Sequence, residues 1–304
     1  MTEQPGSRTS ASRVRVTLER AELIASRRAG AHQHLTLVAP QVAEFARAGQ
    51  FLTVAVGGAS SAALRRRSLW IHRVSPSSTY GGTVEVIVSA TGTGTRWLAG
   101  LSVHDPVDVV GPLGRPFPLP TEPVACLLVG SGHGSAPLLW LAAELRERGC
   151  PVEMVLTAPD EEHLFGVVEA RRTCDGVAVT TDEGGSDGLS AGPDPVGAAV
   201  ADALGRTGAS VVYACGPTGL LRAITAIAQA RGVVAQVALE SPMACGTGVC
   251  QSCVLPVVGA DGRTRMVRSC VEGPVFRGDR IRWDAEDVDG WQVPTDATGA
   301  LRAR

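Results

Sequence analysis

Four cysteines near the C-terminus limit what this chain can fold into more than any other feature. Cys245, Cys250 and Cys253 fall within nine residues, in MACGTGVCQSC, and Cys270 follows in RSCVEGPVF after sixteen more. Thiolates at C-x4-C-x2-C…C spacing suit a plant-type [2Fe–2S] cluster, with ligands converging from one tight loop and one distant position. Gly246 and Gly248 let such a loop curl and turn backbone N–H groups toward sulfide. Two other readings stand beside this one. Zinc sites usually pair two short knuckles across a longer gap, whereas here three cysteines crowd together and the fourth stands alone. Buried thiols with no metal are the second alternative. A disulfide framework is not expected, because nothing marks the chain as secreted.

Around that loop the 304 residues are ordinary, 44% hydrophobic and 19% charged, enough for two or three domains with a real core. A net charge of −2 gives no basic field, so neither nucleic acid nor an anionic membrane is expected as a partner. The longest apolar runs, such as 125–130, fall far short of a bilayer span, and the N-terminus MTEQPGSRTSAS lacks a signal peptide's apolar core. The expected location is the cytoplasm. All 28 basic residues are arginine, which removes lysine Schiff-base chemistry.

Texture then divides the chain. Residues 1–12 read as disordered; from Val14, short alternating runs (VRVTLERAEL, HQHLTLVAP, QFLTVAV, TVEVIVSA, DPVDVVGP) predict an antiparallel β-barrel over 13–118. Apolar strands alternating with helix-like segments over 119–238 predict βαβ units, a parallel sheet and a nucleotide-binding domain. The cluster domain is placed at 239–285 and a polar tail at 286–304. The fold class is thus α/β plus β.

Gly130-Ser131-Gly132-His133-Gly134 follows a strand and opens a helix, where backbone can approach an anion. It is not the full dinucleotide fingerprint, because the third glycine comes one residue early. As a bare strand-to-helix connection it would need no ligand. Tyr213-Ala214-Cys215-Gly216-Pro217 ends a later strand on the same carboxyl edge, although Cys215 also suits a small buried hydrophobe. Cys126, Cys150 and Cys174 carry no motif and read as buried thiols. Gly92-Thr93-Gly94-Thr95 precedes a helix start, and Leu64-Arg65-Arg66-Arg67-Ser68 supplies guanidinium groups suited to phosphate or simply to water. The six histidines form no cluster or ligand pair in sequence, and no acid accompanies His133.

Taken together, GTGTRWL, VVGPLGRPF, VGSGHGSAPLL, VVYACGP, MACGTGVCQSC and RSCVEGPVF resemble the electron-transfer subunit of class 1B dihydroorotate dehydrogenase, within the ferredoxin-reductase superfamily. The likeness runs from about residue 14 to 283. It implies a flavin-type barrel binding FAD, a domain for NAD(H), and a [2Fe–2S] cluster held by Cys245, Cys250, Cys253 and Cys270. It further implies a catalytic oxidoreductase partner of FMN type, in a hetero-oligomer or beside a homodimer. Gly94 and Thr95 would hold the FAD pyrophosphate. Gly130, Gly132, Gly134, Cys215, Gly216 and Pro217 would face the nicotinamide nucleotide. Asp160, Glu161 and Glu162 would repel a 2′-phosphate and so favour NAD over NADP.

The flavin-contact motif departs from the family pattern R-x-[Y/F]-[S/T]. Arg67-Ser68-Leu69-Trp70 stands there, with Leu69 for the aromatic and Trp70 for the small hydroxyl residue, while Ile87, Val88 and Ser89 match a second flavin-contacting strand. A register shifted to 65–68 restores the serine but puts Arg67 at the aromatic position. Two functions follow as expectations. One is an electron-transfer subunit linking NAD(H), FAD and the cluster to a partner, and the other a cluster-bearing protein that has lost FAD at Leu69-Trp70.

Overall fold

The computed structural model describes residues 15–58, 61, 63–181, 195–287 and 290–298. The segment expected to be disordered, 1–12, lies outside the described residues, as does the end of the tail. Six antiparallel strands, β1 (Thr17–Ala29), β2 (His32–Val38), β3 (Phe51–Val54), β4 (Arg67–Ser78), β5 (Gly81–Ser89) and β6 (Pro106–Leu113), close into a barrel in the order β1-β2-β5-β4-β3-β6. Period-two alternation sets its two faces. Val84, Val86 and Val88 of β5 turn inward onto Leu35, Leu37, Leu52, Leu69 and Ile71. Burying each such side chain contributes about 1.5–3 kcal/mol. The outward set of the same strands is Glu85, Ile87 and Ser89 on β5, Ser68 and Trp70 on β4, and His32 and His34 on β2. That outer face carries the chemistry.

Helix α1 (Pro40–Phe45) plugs one end of the barrel, and α2 (Thr93–Ala99) follows β5, its start held by the Thr95 hydroxyl, which accepts from the Gly92 N–H at 3.0 Å. Beyond the barrel, β7 (Cys126–Ser131), β8 (Val152–Ala158), β9 (Gly176–Thr181), β10 (Val211–Gly216) and β11 (Val234–Leu239) form parallel pairs in the order β11-β10-β7-β8-β9. Helices α3 (Ala136–Glu147), α4 (Val167–Thr173), α5 (Pro195–Thr207) and α6 (Thr218–Ala230) make the connections. In α3, Leu138, Leu141, Ala142 and Leu145 recur at helical spacing and are buried, and Pro137 sits in the first turn, where its missing N–H costs nothing. The strand order reverses between β7 and β10, and ligands of open α/β sheets bind outside the carboxyl ends at that point.

Two details differ from the sequence expectation. The glycine turn does not open the helix directly, because a 3₁₀ turn over Gly132–Ser135 intervenes before α3. The sheet is mixed rather than wholly parallel. After the hairpin of β12 (Val254–Val258) and β13 (Thr264–Arg268) and the single turn α7 (Ser269–Glu272), β14 (Val275–Arg277) returns antiparallel to β11. The cluster segment is thereby stitched to the sheet through backbone hydrogen bonds. Among the described residues no helix is long and apolar enough to cross a membrane.

Candidate functional site

A cavity of about 470 Å³ lies where the outer barrel face meets the carboxyl ends of the sheet. The barrel contributes His32, Phe51, Ser68, Trp70, Ile87, Ser89 and Thr95; the sheet side contributes Gly132, His133, Pro159, His163 and Pro217. Its remaining wall is Leu239, Glu240, Ser241 and Met243, the segment that runs into the first cluster cysteine two residues later. The cavity falls in the roughly 300–1,000 Å³ range of small-molecule and cofactor sites.

One hydrogen-bonded chain lines it. The His32 Nε2–H donates to the His163 carbonyl at 3.0 Å, so its Nδ1 must accept, and the Ser89 hydroxyl donates to it at 2.8 Å. Ser89 Oγ then accepts from His133 Nδ1 at 3.4 Å, and the other nitrogen of that ring, Nε2, faces Glu240 Oε1 at 3.2 Å. Donating from both nitrogens makes His133 an imidazolium. Burial acts to lower its pKa, but hydrogen bonding to Glu240 and that residue's charge outweigh it, and the net shift is upward. Burial acts to raise Glu240, and His133 followed by the Trp70 N–H outweighs it, so the carboxyl is held below its usual range. His32 is lowered, mainly by burial, and stays neutral. The indole Nε1–H of Trp70 donates to Glu240 Oε1 at 3.1 Å.

The residues singled out from sequence divide sharply. Ser68, Trp70, Ile87, Ser89, Thr95, Gly132 and Pro217 line the cavity. Ser68 lines the cavity, but its Oγ is itself buried and has no hydrogen-bond partner. Leu69 reaches the cavity, but its side chain packs in the barrel core, and Val88 lies wholly inside that core, because strand alternation turns both inward. Gly94 lies under Arg67, where an added Cβ would stand 2.4 Å from the guanidinium Nε. Arg67 itself donates to the Arg65 carbonyl at 2.7 Å, whereas Arg66 is engaged on the barrel rim with Thr53 and the Asp108 carbonyl.

Gly130 and Gly134 serve packing: a Cβ at Gly134 would meet the Cys215 carbonyl oxygen at 3.0 Å, and one at Gly130 would meet Ser135. Cys215 is fully buried, does not line the cavity, and its thiol is pushed well up by burial and by Glu240. It is therefore a neutral packing residue, not a nucleophile. Gly216 lies between it and Pro217. Tyr213 donates to the Pro118 carbonyl at 2.7 Å, pinning the linker that leaves the barrel.

The sequence missed His32, Phe51, His163, Glu240 and Met243. It also read the histidines as unclustered, which the structure corrects. His32 and His133 have ring centroids 6.0 Å apart, as do His32 and His163, because pairing of β2 with β5 places His32 opposite Ser89 at the sheet edge.

In the cysteine loop, the backbone N–H groups of Thr247 and Cys250 both donate to Cys245 Sγ at 3.4 Å. Burial acts to raise that thiol, but these two donors bring it down to about 6. Cys253 is likewise lowered to about 6, chiefly by hydrogen bonding with Cys270, whose own pKa rises. Cys250 is exposed and pairs with Ser252 at 3.1 Å. A thiolate loop with inward N–H donors fits an iron–sulfur centre. The loop rests on the barrel: a Cβ at Gly246 would lie 2.7 Å from Thr53 and 3.5 Å from Phe51, which also lines the cavity.

Residues 240–282 match the iron–sulfur cluster binding domain of dihydroorotate dehydrogenase B. Over the longer chain, the electron transfer subunit of dihydroorotate dehydrogenase B (NAD(+)) from Geobacillus thermodenitrificans is 34% identical, covering 88% of this chain and 98% of that one. The subunit of the same name from Streptococcus pneumoniae is 36% identical over 78% of this chain and 90% of its own length. The chain belongs to this family of electron-transfer subunits. An NADH-dependent reduced ferredoxin-NADP oxidoreductase, studied for flavin-based electron bifurcation, matches in structure with a TM-score of 0.73 at 30% identity, covering 87% of this chain and 90% of its own. Phthalate dioxygenase reductase shares the fold at a TM-score of 0.52 and 19% identity. The cysteines called out by spacing therefore lie in a region with a family assignment, and membership implies a catalytic partner subunit.

Proposed function

We propose that the chain passes electrons between NAD(H) and a catalytic oxidoreductase subunit, through FAD in the cavity and a [2Fe–2S] cluster in the cysteine loop. One observation carries the reading: a single cavity touches the barrel, the switch point of the sheet and the segment entering the cluster loop. Phe51 lines it and also lies beside Gly246, so one side chain borders both the cavity and the cysteine loop. Flavin supplies the conversion between two-electron hydride chemistry and one-electron transfer.

The chain's own residues hold and exclude. Arg67 and the Gly94-Thr95 turn offer donors for a pyrophosphate, and Gly132, Gly216 and Pro217 admit the nicotinamide nucleotide. Asp160, Glu161 and Glu162, just beyond β8, favour NAD through repulsion of a 2′-phosphate. Trp70 forms part of the wall, and about 470 Å³ remains open with the indole in place, which supports FAD binding rather than its loss. Cys245, Cys250, Cys253 and Cys270 hold the cluster. The partner that fits is a dehydrogenase subunit of FMN type; the relatives' name supports the dehydrogenase part of this reading.

Anaerobically purified chain should carry flavin absorbance and a cluster that bleaches on adding NADH. A chain that stays flavin-free after reconstitution with FAD would sink the reading.

A further inference from the structure

Beside the cavity, on the same outer barrel face, a second set of side chains converges that electron transfer does not use. Ligand atoms of His34, His72 and Glu85 lie within 4.8 Å of one another. Glu169 of α4 adds a carboxylate oxygen 3.5 Å from His72 Nε2. Three barrel strands thus bring side chains to one point, and α4 sets a carboxylate against His72 beside it. His34 and Glu85 come together because β2 pairs with β5; their contact, Nε2 to Oε2, is 2.7 Å.

His72 is placed by an irregularity. The register of β4 against β5 runs Ile71↔Val86, then Arg73↔Glu85, leaving His72 as the extra residue of a bulge. Bulges re-aim side chains, and this one turns the imidazole toward α3 and α4. The ring is buried, 3% exposed, and its Nδ1 lies 3.0 Å from the Ala136 carbonyl. A carbonyl only accepts, so Nδ1 carries a proton, and Nε2 points at the Glu169 carboxylate with either a proton or a cation between them. Metal-binding histidines are oriented in this way, with the second nitrogen donating to a carbonyl. The His34 and His72 rings stand edge to face, 5.4 Å between centroids, and each offers a ring nitrogen to the group. Arg73 holds the other oxygen of Glu169, fixing that carboxylate as well. Hydrogen bonding to His34 is the largest influence on Glu85 and holds it below the usual range.

A lone pair and a carboxylate facing each other repel unless a proton or a cation lies between them. We propose that His34, His72 and Glu85 form a site for a divalent transition metal of the zinc class, distinct from the cluster, with Glu169 beside His72 at its edge. Two imidazoles and one carboxylate are a donor set that such ions prefer over Mg²⁺ or Ca²⁺. The site opens on a groove lined by His34, His72, Phe165 and Glu169, which gives an ion its entry. Phe165 packs edge-on against both His72 and His32, at 5.5 and 6.0 Å, so the site shares a wall residue with the cavity network. Glu169 beside His72 sets α4 against this site, so it lies where the two halves that enclose the cavity meet.

The test uses cluster-loaded chain equilibrated with micromolar Zn²⁺, desalted, and assayed for zinc and iron per chain. Wild type should retain one zinc, and His34→Gln and Glu85→Gln should bind it at least 10–100-fold more weakly, the loss seen for outer-shell partners alone. Iron content and cluster absorbance should be unchanged in both variants, which separates this site from the cysteines and confirms folding. Zinc should also raise the melting temperature of wild type but of neither variant. Wild type that takes up no zinc would mean that only a proton sits between the groups, and variants that retain as much as wild type would place the metal elsewhere. Either result overturns the proposal.

Discussion

Trp70 and Glu240, 170 residues apart, are joined by an indole N–H to carboxylate hydrogen bond of 3.1 Å. The bond ties the outer face of β4 to the residue that ends the sheet and begins the approach to the cysteines. It fixes a side chain that the motif comparison left at odds with the family. The indole packs with Phe51, Ile87 and Leu113 and is 9% exposed, so it is a wall of the cavity and not its occupant.

Truncating that wall should therefore be costly. Trp70→Ala removes a nearly buried indole and should destabilise the chain by about 3–5 kcal/mol. Trp70→Phe keeps most of the packing and loses the N–H, while Glu240 keeps His133 as a partner, so its cost should be about 1 kcal/mol. Denaturant unfolding of the two variants measures the difference. Equal losses would mean that the hydrogen bond, not the packing, holds the wall.

The His133–Glu240 pair gives stability a pH signature. His133 is raised above 6.5, so its contribution is full below 6.5 and fades as pH climbs through the raised value. Glu240 is lowered below 4.5, so its contribution is present above 4.5 and fades as pH falls through the lowered value. The pair is complete between those limits. With the His133 side chain 38% exposed, screening holds its worth to below about 1 kcal/mol. Melting temperatures of wild type and His133→Gln should differ most near pH 5–6 and converge toward pH 9. A difference that grows with pH would contradict the assignment of His133 as the imidazolium.

How much of this was legible follows from where each signal resides. The cysteine spacing is local, so MACGTGVCQSC announced its chemistry without a fold. Period-two runs announced the barrel, and strand–helix alternation announced the sheet. Long-range pairing was not legible. His133 has no acid nearby in sequence because its partner, Glu240, arrives from the end of β11. His34 and His72 meet only through pairing across β5 and the bulge at His72. Motif membership also overstated contact: Val88 and Cys215 sit in recognisable strings, yet strand alternation and burial turn both away from the cavity. The antiparallel β14 was hidden because VFR is too short to announce a strand.

Close packing at the glycine turn yields a third expectation. Gly134 abuts backbone, with an added Cβ 3.0 Å from the Cys215 carbonyl oxygen, so neither side can yield by a rotamer change. Gly134→Ala should push α3 away from β10 and cost about 1–3 kcal/mol. Gly132→Ala would meet no close atom, its nearest neighbour lying at 3.5 Å, but its φ of +51° disfavours a side chain by about 1 kcal/mol. Chemical denaturation of both should rank Gly134 as the more sensitive. The reverse order would show that backbone conformation, not helix-to-strand contact, dominates at this turn.

The cysteine loop makes the sharpest demand on glycine. Gly246 has φ +73° and a Cβ position 2.7 Å from Thr53 Cγ2; Gly248 has φ +83° and a Cβ position 2.5 Å from Val271 Cγ2. Each substitution combines a left-handed backbone with a collision, so Gly246→Ala and Gly248→Ala should each cost at least 1 kcal/mol beyond steric repacking. The loop has two N–H donors on Cys245 that hold its thiolate, and displacing the loop removes them. Both variants should therefore bind less iron and acid-labile sulfide than wild type while the barrel stays folded. Replacing Thr53 by serine removes the methyl group that a Cβ at Gly246 would strike. The double variant Gly246→Ala/Thr53→Ser should thus recover part of the lost iron, whereas Thr53→Ser added to Gly248→Ala should recover none. No rescue of Gly246→Ala would mean that backbone strain alone, and not the seat of the loop on β3, limits cluster assembly.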